Sequence, residues 1–160
     1  MGLTGLDSGL VDAEPLAPEL GAVGKPVRSD ARLIDLLTKE RYIPVVACVA
    51  GDANGIVYNV NADQMAVACA TSFKADKLIF LTDVDGVKGA DGHILESLTA
   101  AEAADLIQTG VATGGMQAKL SAAVAALRAG VKEIIIAQGA RTGIVKELIT
   151  DTYTGTRVIR

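Results

Sequence analysis

The stretch Lys77-Leu78-Ile79-Phe80-Leu81-Thr82-Asp83-Val84-Asp85-Gly86-Val87 changes character half-way along. Leu78 to Leu81 are apolar without alternation, the texture of a strand covered on both faces. From Thr82 to Gly92 acidic residues and glycines predominate, which predicts a loop or hairpin at the strand's carboxy end. Two other runs share that texture. Ile43 to Val49 carries Pro44 near its start, where a missing N–H is tolerable, and Glu133 to Ala137 is equally apolar. Helical patterns lie between them. Ser29 can cap a helix from Asp30 to Lys39 with Leu33, Ile34, Leu36 and Leu37 on its apolar side. Asp63 to Phe73 is Ala-rich and reads as a buried helix. Thr99 with Glu102 forms a capping box for a helix ending near Gly110. Met116 to Ala129, closed by Gly130, is a further helix; Ile144 to Ile149 is a short one; Arg157 to Ile159 is a last strand. Residues 1–28, rich in Gly, Pro and Asp, read as loops and a hairpin. Strands alternating with helices predict a three-layer α/β fold, an open, mainly parallel sheet with helices on both faces.

Bulk composition narrows the classes of function. A chain of 160 residues, half of them hydrophobic, suits one domain with a full-sized core. With 15 basic and 19 acidic residues the formal charge is -4, which argues against a nucleic-acid-binding surface. Trp is absent and aromatics are scarce, so base-stacking platforms are not expected. No apolar run reaches about 18 residues, and the start lacks a basic region followed by an apolar stretch, so neither a membrane span nor a signal peptide is expected. Cys48 and Cys69 are unclustered and read as two reduced core thiols of a cytoplasmic protein. His93, the single histidine, follows a turn and reads as a surface residue.

Three constellations can carry chemistry. Asn59-Val60-Asn61-Ala62-Asp63-Gln64 joins a short strand to a helix. Its side chains can cap that helix, with Asp63 as the N-cap. Alternatively Asn59 binds a polar substrate while Asp63 orients phosphate-gripping lysines from behind. Leu81 to Lys88 sits where open α/β sheets bind ligands, and Asp83 could accept from a ribose hydroxyl or an adenine amine. A solvated acidic turn is the plain alternative, and the spacing of Asp83, Asp85 and Asp91 does not fit a calcium loop. Thr113-Gly114-Gly115-Met116-Gln117-Ala118-Lys119 opens a helix on two glycines and places Lys119 in its first turn. A lysine there opposes the helix dipole, which points to a bound polyanion. The alternative is a Gly-rich turn followed by a surface lysine. No Walker A pattern is present.

Taken in order, these stretches resemble the amino acid kinase family, and within it the acetylglutamate kinases. The resemblance is carried by Tyr42 to Val46, Tyr58 to Asp63, Leu81 to Val87, Gly114-Gly115-Met116 with Lys119, Glu147-Leu148 and Gly155-Thr156. It implies phosphoryl transfer from ATP, accompanied by Mg2+, to the side-chain carboxylate of N-acetyl-L-glutamate, a cytoplasmic step of arginine biosynthesis. By the same resemblance Lys119 stabilises the transferring phosphoryl group, Asp63 organises that lysine, and Asn59 contacts the acetylglutamate. Thr82, Asp83, Val84, Asp85, Gly86, Val87 and Lys88, with Val111, Ala112, Thr113, Gly115 and Met116, would line the nucleotide site. Residues 1–28 would then belong to the junction with a missing amino-terminal half, and residues 29–160 would form the ATP-binding α/β domain. The family's amino-terminal half carries a glycine-rich phosphate loop, a second lysine and a substrate-binding arginine. This chain is therefore expected to be a truncated, carboxy-terminal piece that is inactive alone. In the full enzyme, a homo-oligomer would pair through the amino-terminal halves. Gln138-Gly139-Ala140-Arg141 departs from the family's usual apolar-acidic turn before an Arg. A sensor module that binds nucleotide without catalysis is the rival reading, and another carboxylate kinase of the same fold is a third. Retention of Asn59, Asp63 and Lys119 together favours the catalyst.

Overall fold

The computed structural model describes residues 1–160. It divides into two compact units, Met1–Lys74 and Ala75–Arg160.

In the first unit β1 (Gly2–Leu3) pairs in parallel with β4 (Val45–Val46). A small closed barrel is built from β2 (Val11–Pro15), β3 (Val23–Ser29), β6 (Val57–Val60) and β5 (Val49–Gly51). β2 and β3 form the hairpin expected within residues 1–28. Two helices, α1 (Arg32–Lys39) and α2 (Ala62–Phe73), complete the unit. Leu10, Val11, Ala50, Tyr58, Val60 and Met65 are buried in one cluster with Ile34 and Leu37 of α1. Gly24 is required there by close approach, because a Cβ would lie 2.6 Å from the Tyr58 Cβ.

Two local expectations are corrected in this unit. Ile43 to Val49 is not one strand. Val45 and Val46 pair with β1, whereas Val49 to Gly51 pair with β6. Between them the Val49 N–H donates to the Ala47 carbonyl at 2.8 Å, a tight turn that steps the chain from one sheet into the barrel. Ser29 does not cap α1. It ends β3, and its hydroxyl donates to the Ala68 carbonyl of α2 at 3.1 Å. Asp30 serves the helix start instead, accepting from the Arg32 N–H at 3.0 Å.

In the second unit a four-stranded mixed sheet runs in the order β7 (Lys77–Thr82), β9 (Glu133–Gln138), β10 (Thr156–Ile159), β8 (Ser97–Thr99). β7 and β9 are parallel over six residue pairs from Lys77↔Glu133 to Thr82↔Gln138. β10 runs antiparallel to β9 and parallel to β8. The register puts Leu78, Phe80, Ile134 and Ile136 on one face. Lys119 of α4 (Gly114–Arg128) stands over Phe80 on that face. Ile144 and Leu148 of α5 (Ile144–Ile149) pack with Ile135 and Ala137 on the other. β9 is therefore buried on both faces, but β7 is covered on one only: Leu78 and Phe80 are buried while Ile79 and Leu81 are exposed, although its unalternated pattern predicted cover on both, because β7 is the edge strand. Ile134, Ile135 and Ile136 have no solvent exposure, and each such side chain contributes about 1.5–3 kcal/mol on burial. α3 (Ala100–Gln108) begins with the predicted capping box: Thr99 Oγ1 accepts from the Glu102 N–H at 3.2 Å, and Glu102 accepts from the Thr99 N–H at 2.7 Å.

Candidate functional site

The loop after β7 is shaped by its neighbours. Thr82 ends the strand, and its hydroxyl donates to Asp83 Oδ1 at 3.0 Å. Asp83, Val84 and Asp85 are exposed at the crest, while Gly86 and Val87 are buried. The chain then returns as a hairpin: Lys88 bridges Ile94, and the Leu95 N–H donates to the Val87 carbonyl at 2.9 Å. His93 lies exposed at its tip, as expected. Gln138, at the end of β9, donates from Nε2 to Asp85 Oδ1 at 3.2 Å. The Gly139 N–H donates to the Thr82 carbonyl at 2.8 Å, so β7 and β9 stay paired up to the crest. The carboxylates at 83 and 85 thus stand at the carboxy edge of the sheet, where doubly wound folds bind ligands.

The connection from α3 to α4 is likewise pinned. Ala112 is buried, and its N–H donates to the Leu106 carbonyl at 2.9 Å, which leaves Val111 and Thr113 exposed on either side. Thr113 is extended at the N-cap of α4, but its side chain makes no capping bond, and the first turn holds no acidic residue. Gly114 and Gly115 are exposed. First-turn N–H groups with neither a side-chain cap nor a carboxylate make a positive, anion-accepting end.

Lys119 is not in the first turn of this helix, as the sequence suggested. The helix begins at Gly114 rather than Met116, because the Thr113 carbonyl accepts from both Met116 and Gln117 N–H groups at 3.2 Å. Lys119 therefore falls in the second turn. Its ammonium lies 5.9 Å from the centre of the Phe80 ring, within cation–π range. Lys119 is thus partly buried over the face of β7, at Phe80, two residues before Thr82.

The remaining candidates belong to the first unit. Asn59 is exposed on β6, between the buried Tyr58 and Val60, and its N–H donates to the Ala22 carbonyl at 2.8 Å. Asp63 lies in the first turn of α2 but is not its N-cap. Asn61 caps the helix, accepting on Oδ1 from the Asp63 N–H at 3.0 Å and the Gln64 N–H at 3.3 Å. β6 pairs up to Val60, which puts Asn61 at the first non-strand position and gives it the capping role.

Residues 1–138 match the amino acid kinase family. The chain belongs to that family. Among curated amino acid kinases, it is 55% identical over 159 residues to an acetylglutamate kinase of Solibacter usitatus, covering 99% of this chain and 62% of the relative. An acetylglutamate kinase of Acidobacterium capsulatum is 43% identical over 162 residues, with 99% of this chain and 62% of the relative covered. The chain thus spans about three fifths of these relatives' length. Among solved structures, N-acetylglutamate synthase from Neisseria gonorrhoeae, complexed with coenzyme A and N-acetyl-glutamate, superposes with a TM-score of 0.85 at 28% identity. That match covers 94% of this chain and 36% of the other. Carbamate kinase from Giardia lamblia bound to AMP-PNP shares the fold, with a TM-score of 0.68 at 19% identity over 96% of this chain and 53% of its own. No helix is long and apolar enough to cross a membrane.

Two residues that shape the loop after β7 were not among those predicted for it: Gln138, bonded to Asp85, and Thr156, whose Oγ1 accepts from the Val87 N–H at 2.8 Å. Gln138 was visible in the sequence only as a departure from the family's usual turn. Thr156 was visible only as part of the matching Gly155-Thr156 pair. Neither has a local pattern that announces a partner more than 50 residues away.

Proposed function

We propose that this chain supplies the nucleotide-binding half of an ATP-dependent kinase that phosphorylates the side-chain carboxylate of N-acetyl-L-glutamate, in the cytoplasmic arginine-biosynthetic pathway. The observation that carries the reading is the pairing, within one unit, of an uncapped two-glycine helix start and its second-turn Lys119 with the exposed Asp83–Asp85 crest that follows Thr82 at the carboxy edge of β7. The residues present fit a polyanionic nucleotide. The start of α4 supplies N–H groups and a positive end for phosphates, and the crest supplies acceptors for a ribose hydroxyl or a base amine. Magnesium comes with the nucleotide phosphates, a mode that needs at most one or two protein carboxylates. Lys119 neutralises charge that grows on the transferring phosphoryl oxygens, Asp63 acts as the organiser of that lysine, and Asn59 contacts the acetylglutamate. Such a reaction needs positioning and charge neutralisation more than covalent help from the protein. The product is an acyl phosphate, with ADP released.

The relatives' remaining length would supply the second phosphate grip and the rest of the acceptor site. The isolated chain is therefore expected to bind magnesium-ADP weakly and to turn over little or nothing. Calorimetric titration with magnesium-ADP and a coupled ADP-release assay with N-acetyl-L-glutamate check the two halves of that statement. Robust turnover by this chain alone would refute the division of labour, and absence of any nucleotide binding would refute the nucleotide reading.

A further inference from the structure

Thr156 has no solvent exposure, yet it carries a hydroxyl. That hydroxyl is fully used. Oγ1 accepts from the Val87 N–H at 2.8 Å and donates to the Leu95 carbonyl at 2.7 Å. It therefore ties together the two limbs of the hairpin that follows β7. The fit around it is close: a Cβ added to Gly86 would lie 2.7 Å from Thr156 Oγ1 and 3.0 Å from Ile94 Cγ2. Val87 is itself fully buried, so its N–H has no water to turn to if the hydroxyl is removed. The base of this tie is firm. Thr156 opens β10, which is paired on one side with β9 and on the other with β8. The other grip on the loop, from Gln138 to Asp85, is exposed and longer at 3.2 Å.

We propose that Thr156 is a positioning residue for nucleotide binding: its hydroxyl, fixed on β10, holds Gly86 and Val87 so that Thr82, Asp83 and Asp85 meet the nucleotide already in their binding conformation. This rests on the reading of the 82–88 loop as a nucleotide site. Thr156 itself touches no ligand. Its effect is on the fraction of time the loop spends in its binding form, and that fraction multiplies directly into apparent affinity.

The test compares Thr156→Val, which keeps the shape and removes the hydroxyl, with Thr156→Ser, which keeps the hydroxyl. Magnesium-ADP affinity by calorimetry and amide hydrogen exchange are measured on the same samples of the whole chain. In Thr156→Val the Val87 amide exchanges faster, the β7 and β9 amides keep their protection, and magnesium-ADP binds about tenfold more weakly, as for a loop in its binding form about a tenth of the time. Thr156→Ser behaves like the wild type. A folded Thr156→Val protein with unchanged affinity overturns the proposal, as does Thr156→Ser if it is equally defective, since the methyl group would then be what matters. Should Thr156→Val not fold, Gly86→Ala displaces the loop from the hydroxyl without altering β10, and unchanged affinity in that variant overturns the proposal equally. A wild-type chain that binds no magnesium-ADP overturns the nucleotide reading and this proposal with it. A wild type that binds beside a Thr156→Val protein that binds as well removes only the role of Thr156.

Discussion

Lys119 carries its charge in the second turn of α4, over the face of Phe80. An aromatic face attracts a cation through the negative charge density of its ring, which helps fix where the ammonium stands. A group that acts on charge growing in the transition state lowers the barrier more than it strengthens ground-state binding. In a chain extended to the full length of its relatives, Lys119→Ala is therefore expected to lower kcat about a hundredfold or more, the scale for losing one transition-state donor. The Michaelis constant for ATP should change far less. Steady-state rates across a range of ATP concentrations separate the two, and an unchanged kcat would reduce Lys119 to a surface residue.

At the scale of elements, the start of α2 separates helix stability from chemistry. Asn61 holds two first-turn N–H groups, and Asp63 follows inside the helix. Asn61→Ala removes the cap and should cost about 1 kcal/mol, visible as a lowered melting temperature. Asp63→Asn leaves that cap in place, so its melting temperature should move little by comparison. If Asp63 organises the phosphate-gripping lysine, the same substitution in the full-length enzyme should lower kcat more than tenfold, since misplacing a catalytic group by about 1 Å can cost on the order of a hundredfold. Thermal melts and rates on the same preparations decide between the roles. Had capping been decided by residue type alone, Asp63 would have served as well as Asn61, because the two types cap about equally. The choice fell to Asn61 because β6 ends at Val60, a matter of strand pairing.

For the whole molecule, acid should be the first stress to tell. Hydrogen bonds from the Thr4, Ile56 and Thr99 backbone N–H groups hold the carboxyls of Asp7, Asp52 and Glu102 below their ordinary values. The side chains of Arg32, Lys132 and Lys77 do the same for Asp30, Asp76 and Asp151. A carboxyl whose value is lower in the folded chain binds protons more readily once unfolded. Its contribution is present above the unfolded value, about 4, and is lost as pH falls through the folded one. The melting temperature should therefore fall steadily from pH 5 towards about pH 3, and Glu102→Gln should show a shallower fall than the wild type. At the other end Lys77, raised by its bond to Asp151, contributes below its unfolded value of about 10.4 and loses that contribution as pH rises through the folded one. Melts across the pH range measure both limbs, and a flat acid limb would contradict the assignment.

The sequence by itself determined the elements whose cause is local. The strands Lys77–Thr82 and Glu133–Gln138, the short helix Ile144–Ile149 and the Thr99–Glu102 capping box all follow from residues within one or two turns of each other. Burial on both faces followed from the absence of polar alternation in Glu133–Gln138 but not in Lys77–Thr82, an edge strand whose Ile79 and Leu81 are exposed. Tertiary structure alone decided the rest. Ile43 to Val49 is uniformly apolar, so nothing in its pattern marks the point where the chain leaves β1 for the barrel; the break exists because two different partners claim its two ends. The barrel itself depends on β3 finding β6, more than 30 residues along the chain. Lys119 moved to the second turn because the Thr113 carbonyl accepts two hydrogen bonds that start α4 at Gly114, whose positive φ of 53° suits glycine. The loop after β7 takes its shape from Thr156, 69 residues from the Val87 N–H it holds. A periodicity can be read along the chain because neighbours in sequence share a face, but a hydrogen bond between residues so far apart exists only once the sheet has brought them together.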